Sequence, residues 1–361
     1  MMNFNQSLKL RSGVELKNRL VMAPMTIVSS FHDGIVTQEE IQHYAKRSKG
    51  LGAVITGTAN VTDNGKGWAG ELTIATDEAI GRLSELTGEI HEAGSKAILQ
   101  IFHAGRMASM KVTGEQVVSA SGVAAEFAGA ELPRELTTAE ISELIEAFGQ
   151  ATRRAIIAGF DGVEIHGANG YLIQQFFSPH SNRRTDEWGG SLEKRAKFPL
   201  AVIDRVLFEA EQAGRPFAVG YRFSPLEVTE PGIQFADSLW FLKELKKKKL
   251  DYLHVSLRHF DRKSNALAYQ EKSQLAYIHE ILAGEIPLIG VGGVRTKADV
   301  EALLENAELA AIGQQLLVDP EFPLKISGEL TTTPVEKPFG KAIKDLPMPH
   351  PMFKYLERRY Q

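Results

Sequence analysis

Eight short, apolar, β-rich runs, each followed by a longer segment of helical period, constrain this chain more than any other feature. The runs are 19–23, 53–56, 96–100, 162–166, 217–223, 252–256, 287–290 and 309–312. The helical stretches are 38–49, 77–93, 138–158, 193–213, 235–247, 274–282, 297–304 and 322–327. A strand that must return through a helix can only pair in parallel with the next, and the crossover is right-handed. Eight such units closing on themselves make a (β/α)8 barrel. Periodicity cannot see closure, so a doubly wound open sheet stays in play.

Local punctuation agrees with this parsing. Thr137 precedes Glu140 at the spacing of a capping box, ahead of the apolar stripe Ile141, Leu144 and Phe148. Gly159 stands where that helix should stop. The stretch 112–133 carries no clear element and reads as a loop over one barrel mouth. The length of 361 residues fits one barrel with insertions or two ordinary domains, but no Pro/Gly/Ser linker divides it.

Composition then narrows the partners. Lys+Arg 41 against Asp+Glu 45 gives a net charge of −4, which offers no global pull toward nucleic acid or anionic membrane. The lysine run 246–249 reads as a solvated helix C-terminus, favoured there by the macrodipole. No apolar run approaches a membrane span, and the start MMNFNQSLKLRSG has no signal-peptide core, so the expectation is a soluble cytoplasmic protein. With no cysteine, thiolate nucleophiles, disulfides and cysteine-ligated metal are excluded. The scattered histidines give no metal-ligand pair on the first strand.

In such barrels the chemistry sits at the C-terminal ends of the strands. Pro24, Met25 and Thr26 follow strand one, Gly57 strand two, and Gln100 ends strand three. Strand four runs into His166-Gly167-Ala168-Asn169-Gly170-Tyr171, and strand five carries Arg222. Strands seven and eight end in Gly292-Gly293 and Gly313-Gln314. Paired glycine turns there let backbone N–H groups approach a phosphate, although each could be a tight turn only. A helical turn after strand four would aim His166 and Asn169 to one side, suiting a carbonyl oxygen that gains charge, with Tyr171 as a placed acid. The alternatives are a satisfied core histidine, a turn asparagine and a half-buried tyrosine. Arg222 would be costly to bury unpaired, so it faces either a carboxylate or an anionic cofactor.

Four segments then become familiar: Lys-Asn-Arg-Leu-Val-Met-Ala-Pro-Met-Thr at 17–26, Gln-Ile-Phe-His-Ala-Gly-Arg at 100–106, Gly-Val-Glu-Ile-His-Gly-Ala-Asn-Gly-Tyr-Leu at 162–172, and Asn-Arg-Arg-Thr-Asp-Glu-Trp-Gly-Gly-Ser-Leu-Glu at 182–193. Over roughly residues 5 to 328 the chain resembles the old yellow enzyme family, FMN-dependent ene-reductases on a (β/α)8 barrel. The resemblance implies one FMN-binding barrel domain over 1–361, with 329–361 as a C-terminal extension. It implies noncovalent FMN, NADPH or NADH as hydride donor, and electron-poor alkenes (α,β-unsaturated carbonyl or nitro compounds) as substrates. By this resemblance Ala23, Pro24, Met25 and Thr26 line the flavin, with the Thr26 hydroxyl near its C4 carbonyl. Gly57 and Gln100 would contact the pyrimidine side and Arg222 the N1 and O2 edge. Gly292, Gly293, Gly313 and Gln314 would hold the phosphate. His166 and Asn169 would grip the substrate carbonyl, and Tyr171 would donate the proton.

The chain departs from the family in places. Gln314 stands where the family usually has arginine, and Thr26 where some bacterial members have cysteine. The relatives with cysteine-ligated clusters are excluded. Two other readings remain at this level: a flavin- or ligand-binding barrel without catalysis, and a cofactor-free barrel lyase or hydrolase. Homo-oligomerisation is left open.

Overall fold

The computed structural model describes residues 3–336, 339–342, 346 and 348–359. Its centre is a closed ring of eight parallel strands. In chain order these are β1 Leu20–Met22, β2 Ala53–Asn60, β3 Lys96–Phe102, β4 Gly162–Gly167, β5 Ala218–Phe223, β6 Tyr252–Val255, β7 Leu288–Val291 and β8 Leu309–Ile312. β1 pairs with both β2 and β8, which closes the sheet and decides against the open alternative.

A helix follows each strand: α1 Gln38–Arg47, α2 Ala79–Glu92, α3 Thr138–Ile157, α4 Leu192–Glu211, α5 Phe235–Leu245, α6 Gln274–Leu282, α7 Lys297–Leu303 and α8 Phe322–Ser327. The capping box of α3 is present, with Thr137 N–H donating to Glu140 Oε2 at 2.8 Å. The stretch 112–133 is mostly irregular. It contributes Val118–Ser119, which pairs with Arg134–Glu135.

The apolar residues divide by the period-two alternation of the strands. One set packs the ring against its helices. The other points inward and includes Val21, Ile55, Ile98, Ala218, Tyr252, Ile289 and Leu309. An antiparallel ribbon, Leu8–Lys9 with Glu15–Leu16, adds Leu10, Val14 and Leu16 to that inner cluster and covers the N-terminal end of the barrel. Asp251 ties it down by accepting from Ser12 N–H at 2.7 Å and Val219 N–H at 2.8 Å. The sequence reading did not include this ribbon.

The lysine run is paired rather than simply solvated. Lys246 meets Glu285, Lys247 meets Glu244, Lys248 meets Asp204 and Lys249 meets Glu211, at 2.6 to 3.0 Å. No helix among the described residues is long and apolar enough to cross a membrane.

Candidate active site at the C-terminal mouth of the barrel

Above the inner apolar cluster the inward positions turn polar: Gln100, Glu164, His166, Arg222 and His254. Strand register sets Gln100 beside Glu164 and Arg222 beside both His166 and His254. Such a belt is tolerable only when its members satisfy each other. Glu164 does most of that, accepting from Gln100 Nε2 at 2.6 Å and pairing with His254 Nδ1 at 2.9 Å. Burial would raise the Glu164 carboxyl, but His254, Arg222 and Gln100 outweigh it and hold it below the ordinary carboxylate range. Burial holds His254 low, so it is neutral and its Nδ1–H donates to the carboxylate.

A cavity of about 890 Å³ opens above the belt. Ala23, Pro24, Met25, Thr26, Asn169, Arg222, Gly292, Gly293, Gly313 and Gln314 all line it, so residues from five strand ends converge as the sequence suggested. Gly57 and Gln100 do not. Gly57 lies beneath Met25, where a Cβ would sit 2.7 Å from the Met25 carbonyl oxygen, and Gln100 is spent on Glu164. His166 and Tyr171 are not among the cavity's lining residues either; their rings meet edge to face at 5.0 Å, with Phe102 edge-on to Tyr171 at 5.0 Å.

The turn after β4 is left-handed rather than helical. Asn169 has φ 57° and Gly170 φ 77°, a pair that reverses the chain within two residues. Gln174 and Gln175 pin it. Gly170 N–H donates to Gln174 Oε1 at 3.0 Å, and Gln175 Nε2 donates to the Gly170 carbonyl at 2.7 Å. Ala168 N–H donates to His166 Nδ1 at 3.2 Å, which leaves the proton of the neutral ring on Nε2. Burial, then Arg222 and His254, push His166 well below its usual value, so that neutral form persists at physiological pH.

Arg222 is the cation of the site. Its Nη2 donates to Ser256 Oγ at 3.2 Å, while its buried Nε has no partner among the described residues. Burial lowers its pKa and Glu164 opposes that shift, yet a guanidinium stays charged.

The glycine turns are built for close approach. Gly292 has φ 119°, and a Cβ there would lie 2.6 Å from the Leu257 carbonyl. Gly293 has φ 75°, and a Cβ there would lie 2.9 Å from His259 Nδ1. The loop after β6 therefore lies directly on the loop after β7. It brings Arg258 and His259 to the cavity that also holds Arg295 and Gln314.

The pattern of the NADH:flavin oxidoreductase / NADH oxidase family matches residues 5–333. The chain belongs to that family. Among its relatives within this flavin oxidoreductase family, an NADH:acrylate oxidoreductase of Vibrio harveyi is 48% identical over 89% of this chain. The match spans only 33% of that longer protein. A probable NADH-dependent flavin oxidoreductase of Bacillus subtilis is 44% identical, over 88% of this chain and 85% of its own. Among solved structures, the old yellow enzyme homologue from Zymomonas mobilis superposes with a TM-score of 0.80 at 25% identity, covering 96% of this chain and 100% of that one. The family's members are FMN-dependent oxidoreductases using NADH or NADPH.

FMN fits what this flavin oxidoreductase presents. The Arg222 guanidinium lines a cavity of suitable size, and its buried Nε is a donor with no partner among the described residues. A Cβ on Gly313 would meet only the side chains of Met25 and Ala23, at 3.6 Å or more, so its hydrogen leaves cavity space that a side chain would fill.

Several cavity residues were missed from sequence. Ser256, Arg258 and His259 stand at the end of β6, where the strand-end rule would have found them. Glu164 is one inward step below His166. Met352, Tyr355 and Leu356 come from the distant helix His350–Arg359, and their i, i+3, i+4 spacing after Pro351 is the signal that would have found it.

Proposed function

We propose that this chain takes hydride from NADH or NADPH and reduces the C=C bond of α,β-unsaturated carbonyl or nitro compounds, as one FMN-binding barrel domain with a C-terminal extension. The observation that carries the reading is the convergence of Arg222, Asn169 and the glycine turns on one cavity, with a neutral His166 beside Arg222 in strand register. FMN, when bound, supplies the hydride relay between nicotinamide and alkene.

The chain's own residues do the rest. Gly292, Gly293, Gly313 and Gln314 would hold the phosphate end through backbone and amide donors, and Ala23 to Thr26 the ring. Gly57 keeps Met25 close to β2, and Gln100 steadies Glu164, which in turn would balance the charge of Arg222 beside the cofactor. Arg222 places a fixed cation where negative charge collects. Asn169 Nδ2 and His166 Nε2–H would bind the substrate oxygen, and those bonds strengthen as enolate charge develops. Tyr171 Oη would give its proton to the substrate's α-carbon.

The barrel matches only 33% of the longer Vibrio protein, which fits a second reading, in which the barrel oxidises NADH and passes the electrons to a separate acceptor rather than to the alkene itself. One experiment separates them. Purified protein is checked for a flavin absorption band, bleached anaerobically with NADH or NADPH, then offered enones, nitroalkenes, maleimides and acrylate. Reoxidation by an alkene with saturated product supports the first reading. Bleaching that only quinones or dyes reverse supports the second, and a protein that takes up no flavin sinks both.

A further inference from the structure

Ser256, at the end of β6, stands between the two polar groups on which the proposed function rests. Arg222 Nη2 donates to its Oγ at 3.2 Å, and its own hydroxyl donates to Asn169 Oδ1 at 2.8 Å. The three residues come from β5, β6 and the turn after β4, and all three line the cavity.

The chemistry of the donors gives this chain a direction. A guanidinium has five N–H groups and no acceptor, so Ser256 can only accept from Arg222. If the amide of Asn169 were turned over, its Nδ2 would also donate to Ser256. The hydroxyl proton would then face two donors and no acceptor among the described contacts. With Oδ1 toward Ser256 each group is satisfied, and the Nδ2 hydrogens are left for the cavity. A hydroxyl that accepts from a cation is also a better donor, so the polarisation reaches Asn169.

We infer that Ser256 is a positioning residue: it fixes the Asn169 amide with its N–H group toward the substrate oxygen and links that amide to the Arg222 cation. The inference rests on the proposed role of Asn169. Asn169 needs such a partner because its own backbone does not set the amide. Its N–H is bound to Ser224 Oγ at 2.9 Å, and its φ of 57° fixes where the side chain starts but not which end faces inward. A turned amide would present a carbonyl to an enolate oxygen, so orientation decides between attraction and repulsion.

The test is a double-mutant cycle on the full-length holoprotein, read by the phenol-induced change in the flavin spectrum, with flavin content checked for each variant. Ser256→Ala should weaken phenol binding about fivefold to tenfold, the worth of one hydrogen bond. In an Asn169→Ala background the same change should matter less than about twofold, because its target is gone. Ser256→Thr, which keeps the hydroxyl, should restore binding to within about twofold of the parent. Additive effects of the two alanine changes, or failure of threonine to rescue, would overturn the positioning role. So would a Ser256→Ala protein that binds phenol like the parent while Asn169→Ala does not. If Asn169→Ala itself binds phenol normally, the reading of the site fails, and the inference with it.

Discussion

The Glu164 carboxylate and the His254 imidazole meet at 2.9 Å with neither side chain exposed. A buried pair of this kind is costly to break from one side, because the remaining polar group has no water to turn to. Glu164→Ala should therefore cost about 3–5 kcal/mol, read by denaturant unfolding. Glu164→Gln keeps shape and hydrogen bonds but removes the charge that offsets Arg222. The unopposed cation should raise the potential of bound flavin by on the order of tens of millivolts. An unchanged potential would place Glu164 outside the electrostatic reach of the cofactor.

Tyr171→Phe removes an acid and keeps a ring that packs edge-on to both Phe102 and His166. General acids contribute about 10²–10⁴-fold, so enone turnover should fall within that range. Nitroalkenes, whose nitronate can wait for solvent, should lose much less. Equal losses on both substrates would mean that the ring, not the proton, was being removed.

His166→Ala and Asn169→Ala should each raise the dissociation constant for phenol, because each deletes one donor proposed for its oxygen. About 1–3 kcal/mol per bond corresponds to between a few-fold and about a hundredfold. The His166 effect should stay flat from pH 6 to 8, since burial keeps the ring neutral throughout. A His166-dependent inflection in that range would show a ring that titrates.

Gln314 lines the cavity beside the glycine turns, so the departure from the family's arginine falls among the residues proposed to hold the phosphate. Hydrogen bonds to charged partners are worth roughly 1.5–3 kcal/mol, against about 1 for neutral ones. Gln314→Arg should lower the FMN dissociation constant by about tenfold and raise the flavin retained on purification. Equal affinities would assign the charge to Arg258 or Arg295, and Arg295→Ala would then weaken FMN.

Glu40, on the inner face of α1, is wholly buried and raised from an ordinary 4.5 to about 8, chiefly by desolvation, with a Ser30 hydrogen bond of 2.6 Å opposing. Of its neighbours, burial pushes the Tyr44 phenol up, and burial, then Arg47, pushes the His43 imidazole well down. A carboxyl whose folded pKa lies above its unfolded one adds stability that is full below about pH 4.5 and is lost as pH rises through about 8. Relative to Glu40→Gln, the parent should thus lose roughly a few kcal/mol between pH 5 and 9. Parallel melting curves for the two proteins would show that Glu40 does not titrate there.

Long periodic elements were legible in the sequence almost to the residue. The helix read at 274–282 is Gln274–Leu282, because an apolar stripe and a serine cap both mark it. The ribbon Leu8–Lys9 with Glu15–Leu16 was not, since two-residue strands carry no period. In the site, strand-end residues such as Asn169 and Arg222 were found by position alone. Glu164 and His254 were not, because neither stands past the end of its strand. Inward alternation, counted down from His166 and Arg222, would have exposed both.

The ribbon over the N-terminal end has a kinetic consequence. With Leu10, Val14 and Leu16 stoppering the barrel below and a polar belt filling its waist, reactants reach the cavity from the C-terminal mouth. Dinucleotide and alkene must then queue for it: one leaves before the other enters. Turnover should follow a ping-pong scheme, with parallel lines in double-reciprocal plots, and an excess of either reactant should slow the other by standing in the way.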